Sequence, residues 1–181
     1  CDVDYAFAQI DVNEPIVDTG PTCGNMLAGV GPFALLRKLV PMQDDTTTVR
    51  VWDVNTSSRM NVTVPTPGGV MKLDGTAAID GVPGTAAPII TEFLDVLGPK
   101  TGNVLPTGSP RDTFDGVEVT CVDSVNPTVL LHATDLGETG HEQPDQLDAD
   151  HPMLVRLERI REQASLAMGL GDARGKVLPK I

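Results

Sequence analysis

Apolar and polar residues alternate from the outset. In VDYAFAQIDV, residues 3–12, Ala6, Ala8, Ile10 and Val12 fall on one side and Tyr5, Phe7, Gln9 and Asp11 on the other. A period of two predicts a strand with one face in a core. A turn, EPIVDTGPT, then leads into a largely apolar run from Cys23 to Val40, with Arg37 and Lys38 near its end. Basic residues in a last turn complement the carbonyl end of a helix, so this run is expected to be helical. TTTVRVWDV (residues 46–54) and RMNVTVP (59–65) alternate again and predict two strands, joined by the turn-forming NTSS. Residues 66–112 are rich in Gly, Pro and Thr, but Ile89, Ile90, Phe93, Leu94, Val96 and Leu97 demand burial. Short strands and ordered loops are expected there, with a domain hinge near PTGSPRD, residues 106–112.

Two further strand patterns follow, GVEVTCVD (116–123) and TVLLHATDLG (128–137), on either side of an Asn126–Pro127 turn. An acidic loop over residues 137–150 precedes a helix that Asp150 can cap, with Pro152 in its first turn. Leu154, Leu157, Ile160, Ala164 and Met168 form its apolar stripe, and Gly169 or Gly171 ends it.

A chain of 181 residues with 40% hydrophobic content and mean hydropathy near zero can bury a core as a globular protein. Its net charge of −12 and aromatic content of 3% argue against nucleic acid and anionic membranes as partners. A small anionic substrate remains compatible, because backbone amides can build a local positive site inside an acidic protein. The three cysteines, Cys1, Cys23 and Cys121, match no metal or disulfide spacing, and a reducing compartment is the simpler reading. No secretory signal is visible. Residues 19–36 approach membrane-span length, but about half are Gly, Pro, Thr, Asn or Cys, so a buried helix is expected instead.

Cys23 is the candidate for chemistry. It is followed by Gly24 and Asn25 where a helix should start. The first N–H groups of a helix lack internal partners and can hold a carboxylate, and glycine lets that carboxylate approach the backbone. A thiol beside a bound carboxylate can move a proton on the neighbouring carbon, with the developing enolate charge falling on the same donors. A free cysteine is more often a small buried hydrophobe, and the residues alone leave both roles open. Cys121 shares a strand face with Val117 and Val119 and reads as core. His132, His141 and His151 fit no metal motif. DGVPGTAAP lacks the Gly-Lys-Ser/Thr ending of a phosphate loop and reads as a turn, with Thr85 a minor candidate for substrate contact.

DYAFAQIDVNEPIVDTGPTCGNMLAGVGPFAL resembles the PrpF family, which includes methylaconitate cis-trans isomerase, methylitaconate and aconitate delta-isomerases and oxalomesaconate tautomerase. The resemblance continues through AIDGVPGTAAPIITEFLDVLGPKTGNVLPTG, VTCVDSVNPTVLLHATDLGETGHE and LERIREQASLAMGL. It implies an α+β, diaminopimelate-epimerase-like fold, with two similar domains that each wrap a β-barrel-like sheet around a central helix. Residues 1–110 would be the latter part of the N-terminal domain, with its central helix starting near Cys23, and residues 111–181 the first part of the C-terminal domain.

By the same resemblance, Cys23 matches the catalytic cysteine, and Gly24, Asn25 and Met26 match the carboxylate-binding amides. Thr22 stands where the family usually has Asn. The implied activity is a cofactor-free proton transfer on a small unsaturated di- or tricarboxylate, in the cytoplasm, without metal, and a homodimer is compatible with it. The family's second acid/base group, a lysine in a Ser-Lys motif ahead of the segment at Val3, has no counterpart in this chain. The second central helix would follow Ile181. On this reading the chain is an internal portion of a longer protein and inactive alone. The alternatives are an amino-acid racemase or epimerase of the same fold, and a non-catalytic remnant or binding module.

Overall fold

The structure, a computed structural model, describes residues 1–12 and 14–181. In chain order its elements are strands β1 (Val3–Tyr5), β2 (Gln9–Ile10) and β3 (Val17–Asp18), then helices α1 (Gly24–Leu27) and α2 (Val30–Leu36). Strands β4 (Asp45–Asp53), β5 (Ser58–Thr66), β6 (Ile90–Phe93), β7 (Asp112–Phe114), β8 (Val117–Ser124) and β9 (Asn126–Leu130) follow, and helices α3 (Pro144–Ala149) and α4 (His151–Ala167) close the series. The architecture is α+β. Two compact units are formed, one from Cys1–Gln9 and Thr22–Asp95, the other from Ile10–Pro21 and Val96–Ile181.

In the first unit, the two predicted central strands form a long hairpin, β4 against β5, in register from Asp45↔Thr66 to Asp53↔Ser58. Its turn is closed by the buried carboxylate of Asp53, which accepts the Asn55 N–H at 2.9 Å and the Thr56 hydroxyl at 2.8 Å. Alternation places Val49, Val51, Met60, Val62 and Val64 on one face, where they bury Leu27, Ala34 and Leu35 of the helices. Strand β1 lies parallel to β4, pairing Tyr5 with Asp53 and Asp4 with Trp52, and β6 lies antiparallel to β5, pairing Phe93 with Met60.

Two expectations in this unit are corrected. The strand at residues 3–12 is interrupted after Tyr5, because Phe7 exchanges two hydrogen bonds with the Asn55 side chain, at 2.7 and 2.8 Å, in place of a ladder. The half-buried side is that of Tyr5 and Phe7, while Ile10 and Val12 are exposed.

The helix expected over 23–40 is split and ends at Leu36. Pro32 has no N–H to give the Ala28 carbonyl, and Gly29 reaches back only to Met26, at 3.1 Å. Lys38 then turns left-handed, with φ 57°, and ends the run. Gly31 lies so close to the sheet that a Cβ there would meet Val62 Cγ1 at 2.6 Å and Val64 Cγ2 at 3.0 Å. The side of the helices turned from the sheet leaves Met26, Phe33, Leu36 and Leu39 each more than half exposed.

The second unit centres on the antiparallel order β7-β8-β9, covered by α4, with Val117, Val119, Cys121, Val129, Ile160, Ala164 and Met168 in its core. The predicted cap is present: the Asp150 carboxylate accepts the Met153 N–H at 3.0 Å. Gly169, at φ 76°, follows the last turn, as expected. On α4 it is Met153 rather than Leu154 that is buried. The acidic loop contains a short helix, α3, closed by a reciprocal capping box between Gln143 and Gln146.

The second hairpin turns one residue earlier than expected, at Val125 in the left-handed region (φ 67°), so Asn126 and Pro127 are strand residues. Pro127 fits because its carbonyl, not a missing N–H, is the group used, accepting from Lys180 at 2.9 Å. Residues 133–136 form a single 3-10 turn instead of continuing the strand.

Residues 106–112, expected to be the hinge, lie inside this unit. The Thr107 hydroxyl donates to Asp112 at 2.7 Å and the Thr120 hydroxyl to the Pro110 carbonyl at 2.8 Å, which fixes the stretch on the sheet. Arg161, almost wholly buried, donates to the carbonyls of Ala173, Lys176 and Pro179 and so anchors the segment after α4. Among the described residues, no helix is long and apolar enough to cross a membrane.

Candidate active site

Cys23 stands at the cap position of α1 in extended conformation (φ −130°, ψ 108°), half-buried, and its thiol makes no capping hydrogen bond. Its carbonyl accepts the Leu27 N–H at 3.0 Å, and the Ala28 N–H reaches Gly24 at 3.2 Å. Among the described residues, the N–H groups of Gly24, Asn25 and Met26 donate to no protein acceptor. Such groups are the orphan donors that a turn leaves for water or an anion. Gly24 is half-buried, whereas Asn25 and Met26 are exposed. Thr22, one residue before the thiol, is buried. The structure therefore brings Thr22, Cys23, Gly24, Asn25 and Met26 onto one turn.

Thr85 belongs to the same compact unit as Cys23. It is exposed in the loop closed by the Ala77–Ala86 bridge. The three histidines are also exposed, and no group of three His, Cys, Asp or Glu able to hold a metal occurs among the described residues. Cys121 is fully buried, and burial first, then the Asp112 charge, pushes its thiol up to about 11. A thiol so held is inert at neutral pH.

Two neighbours of Cys23 escape a reading of local sequence. The Tyr5 hydroxyl donates to the Cys23 carbonyl at 3.2 Å. Burial first, then the Cys23 and Asp53 charges, raise its ionisation to about 12, so it stays a donor throughout the neutral range. Phe93 packs against Gly24, since a Cβ there would lie 3.2 Å from its ring Cζ. Both contacts are tertiary, linking β1 and β6 to α1, and only the scarcity of aromatics marks these residues in the sequence.

Comparison with known proteins places these features in context. The Escherichia coli (strain K12) protein YbhH is 52% identical over 179 residues, which cover 99% of this chain and 51% of YbhH. A 4-oxalomesaconate tautomerase of Pseudomonas putida is 49% identical over 180 residues, covering 99% of this chain and 50% of the relative. The crystal structure of methylitaconate-delta-isomerase superposes with a TM-score of 0.75 at 39% identity, over 93% of this chain and 45% of that one. The chain thus spans about half the length of the curated relatives it matches. The model of the PrpF protein family matches residues 1–181, from end to end, and the chain belongs to that family.

Proposed function

We propose that the protein acts as a cofactor-independent isomerase that moves a proton on a small unsaturated di- or tricarboxylate. The observation that carries this is the Cys23 turn: a half-exposed thiol directly followed by three backbone N–H groups with no protein acceptor among the described residues. In this reading the amides of Gly24, Asn25 and Met26 hold a substrate carboxylate and Cys23 gives or takes a proton at the carbon next to it or conjugated with it. The allylic shift conserves atoms and electrons: one proton leaves a carbon, the double bond migrates, and one proton returns elsewhere on the three-carbon system. The second proton carrier is assigned to the lysine of the family's Ser-Lys motif, which has no counterpart within residues 1–181.

Relatives named for oxalomesaconate and methylitaconate support this substrate class. We assign the architecture to the diaminopimelate-epimerase-like class, with α1 and α2 as the central helix of the first domain. Three free cysteines fit action in the cytoplasm.

The test is isomerisation in heavy water by the full-length protein, with aconitate, methylaconitate and oxalomesaconate offered in turn. Deuterium should enter the product of at least one, and Cys23→Ser should lower turnover by at least about a hundredfold, the scale of a lost acid/base group. Wild-type exchange and isomerisation in Cys23→Ser would overturn the assignment.

A further inference from the structure

We propose that Tyr5 is a positioning residue for this site, acting through the Cys23–Gly24 peptide; the inference rests on the isomerase reading above. Tyr5 is the only tyrosine of the chain. Its hydroxyl donates to the Cys23 carbonyl at 3.2 Å, across eighteen residues of sequence. In a planar trans peptide, the carbonyl and the following N–H point in opposite directions. Fixing the carbonyl of Cys23 therefore fixes the direction of the Gly24 N–H, the first of the three donors assigned to the substrate carboxylate.

The mounting is rigid on both sides. Tyr5 ends β1, where it pairs in register with Asp53, and its own carbonyl accepts the Val54 N–H at 2.9 Å. On Gly24 the ring of Phe93 closes in, so that even a methyl group would press on Cζ at 3.2 Å. The peptide is thus held by a hydroxyl at its carbonyl and a ring at its α-carbon. The same hydrogen bond polarises the peptide, and a polarised amide is a stronger donor to an anion. With its ionisation at about 12, the hydroxyl keeps its proton across the neutral range, in which a carboxylate substrate is charged.

The chemistry of this arrangement makes Tyr5 sensitive to removal of one atom. Tyr5→Phe keeps the ring and its packing but leaves the Cys23 carbonyl held, among the described residues, by the Leu27 N–H alone. Cys23 and Gly24 form the only Cys–Gly pair of the chain. Labelling cysteine with ¹³C at the carbonyl and glycine with ¹⁵N therefore singles out this peptide within residues 1–181.

The experiment titrates the labelled full-length protein with oxalomesaconate and follows the Gly24 amide by NMR, beside steady-state kinetics on the same compound. In wild type the amide should shift on binding. In Tyr5→Phe the midpoint and KM should rise about tenfold, as for a weakened hydrogen bond to a charged group, with kcat changed less and the thermal midpoint close to wild type. A Tyr5→Phe protein that binds, shifts and turns over like wild type overturns the role of Tyr5 and leaves the isomerase reading intact. A wild-type Gly24 amide that ignores oxalomesaconate, methylaconitate and aconitate alike overturns the carboxylate site itself, and the role of Tyr5 with it.

Discussion

At the residue scale, the two interior cysteines show how environment divides identical side chains. Cys121 lies on the core face of β8, fully buried, with its thiol pushed up to about 11. Cys23 is half-exposed on a turn. A thiol reacts as its thiolate and only where a reagent can reach it. Native protein treated with iodoacetamide at neutral pH should therefore be alkylated at Cys1 and Cys23 while Cys121 remains free until the protein is unfolded. Peptide mass mapping reads this directly, and alkylation of Cys121 in the native state would contradict its burial. The alternation of EVTCVDS already assigned Cys121 to a core face. The role of Cys23 was open from its neighbours alone, because its distinguishing surroundings, Tyr5 and Phe93, come from remote strands.

At the scale of elements, glycine decides how closely the helices approach their sheet. At Gly31 an added methyl would sit 2.6 Å from Val62 Cγ1 and 3.0 Å from Val64 Cγ2, both core residues with little room to move. Gly31→Ala should cost about 1–3 kcal/mol, the usual penalty for overpacking. Gly29→Ala meets only the Met26 carbonyl, at 3.4 Å, and should be neutral or slightly stabilising. Urea midpoints of the two variants test the contrast, and equal midpoints would refute it.

The elements also show which sequence signals suffice. The β4–β5 hairpin and the Asp150 cap were legible because alternation, turn chemistry and capping agree with one another over a short span. The helix over 23–40 misled because composition was apolar enough for a helix while Pro32 quietly removed one of its bonds. The continuous strand at 3–12 failed for a tertiary reason: Asn55, more than forty residues away, takes the hydrogen bonds of Phe7. The hinge expected at 106–112 failed likewise, since its small polar side chains hydrogen-bond to their own unit.

At the scale of the whole molecule, carboxylates outnumber cations, with a net charge of −12. Several of the surplus acids are nonetheless paired. The Arg50 guanidinium and backbone hydrogen bonds lower Asp2 to about 2, and Arg59 does the same for Asp95. Because these folded values lie below the ordinary carboxylate value of 3.8, their contribution to stability is present above that value and is lost as pH falls through about 2. Thermal midpoints should decline between about pH 4 and pH 2, and the double variant Asp2→Asn/Asp95→Asn should flatten that decline. An unchanged slope in the double variant would show that these pairs are energetically idle.

The placement of Trp52 in β4 has an optical consequence for such melts. The only tryptophan and the only tyrosine both lie in the first unit, and the second unit has a single aromatic residue, Phe114. Intrinsic fluorescence of these 181 residues therefore reports the β4–β5 hairpin and its parallel neighbour, while the second unit is dark. Far-ultraviolet circular dichroism sees both, with α4 the longest helix. Where the two transitions separate, the difference between them is the stability of one unit against the other.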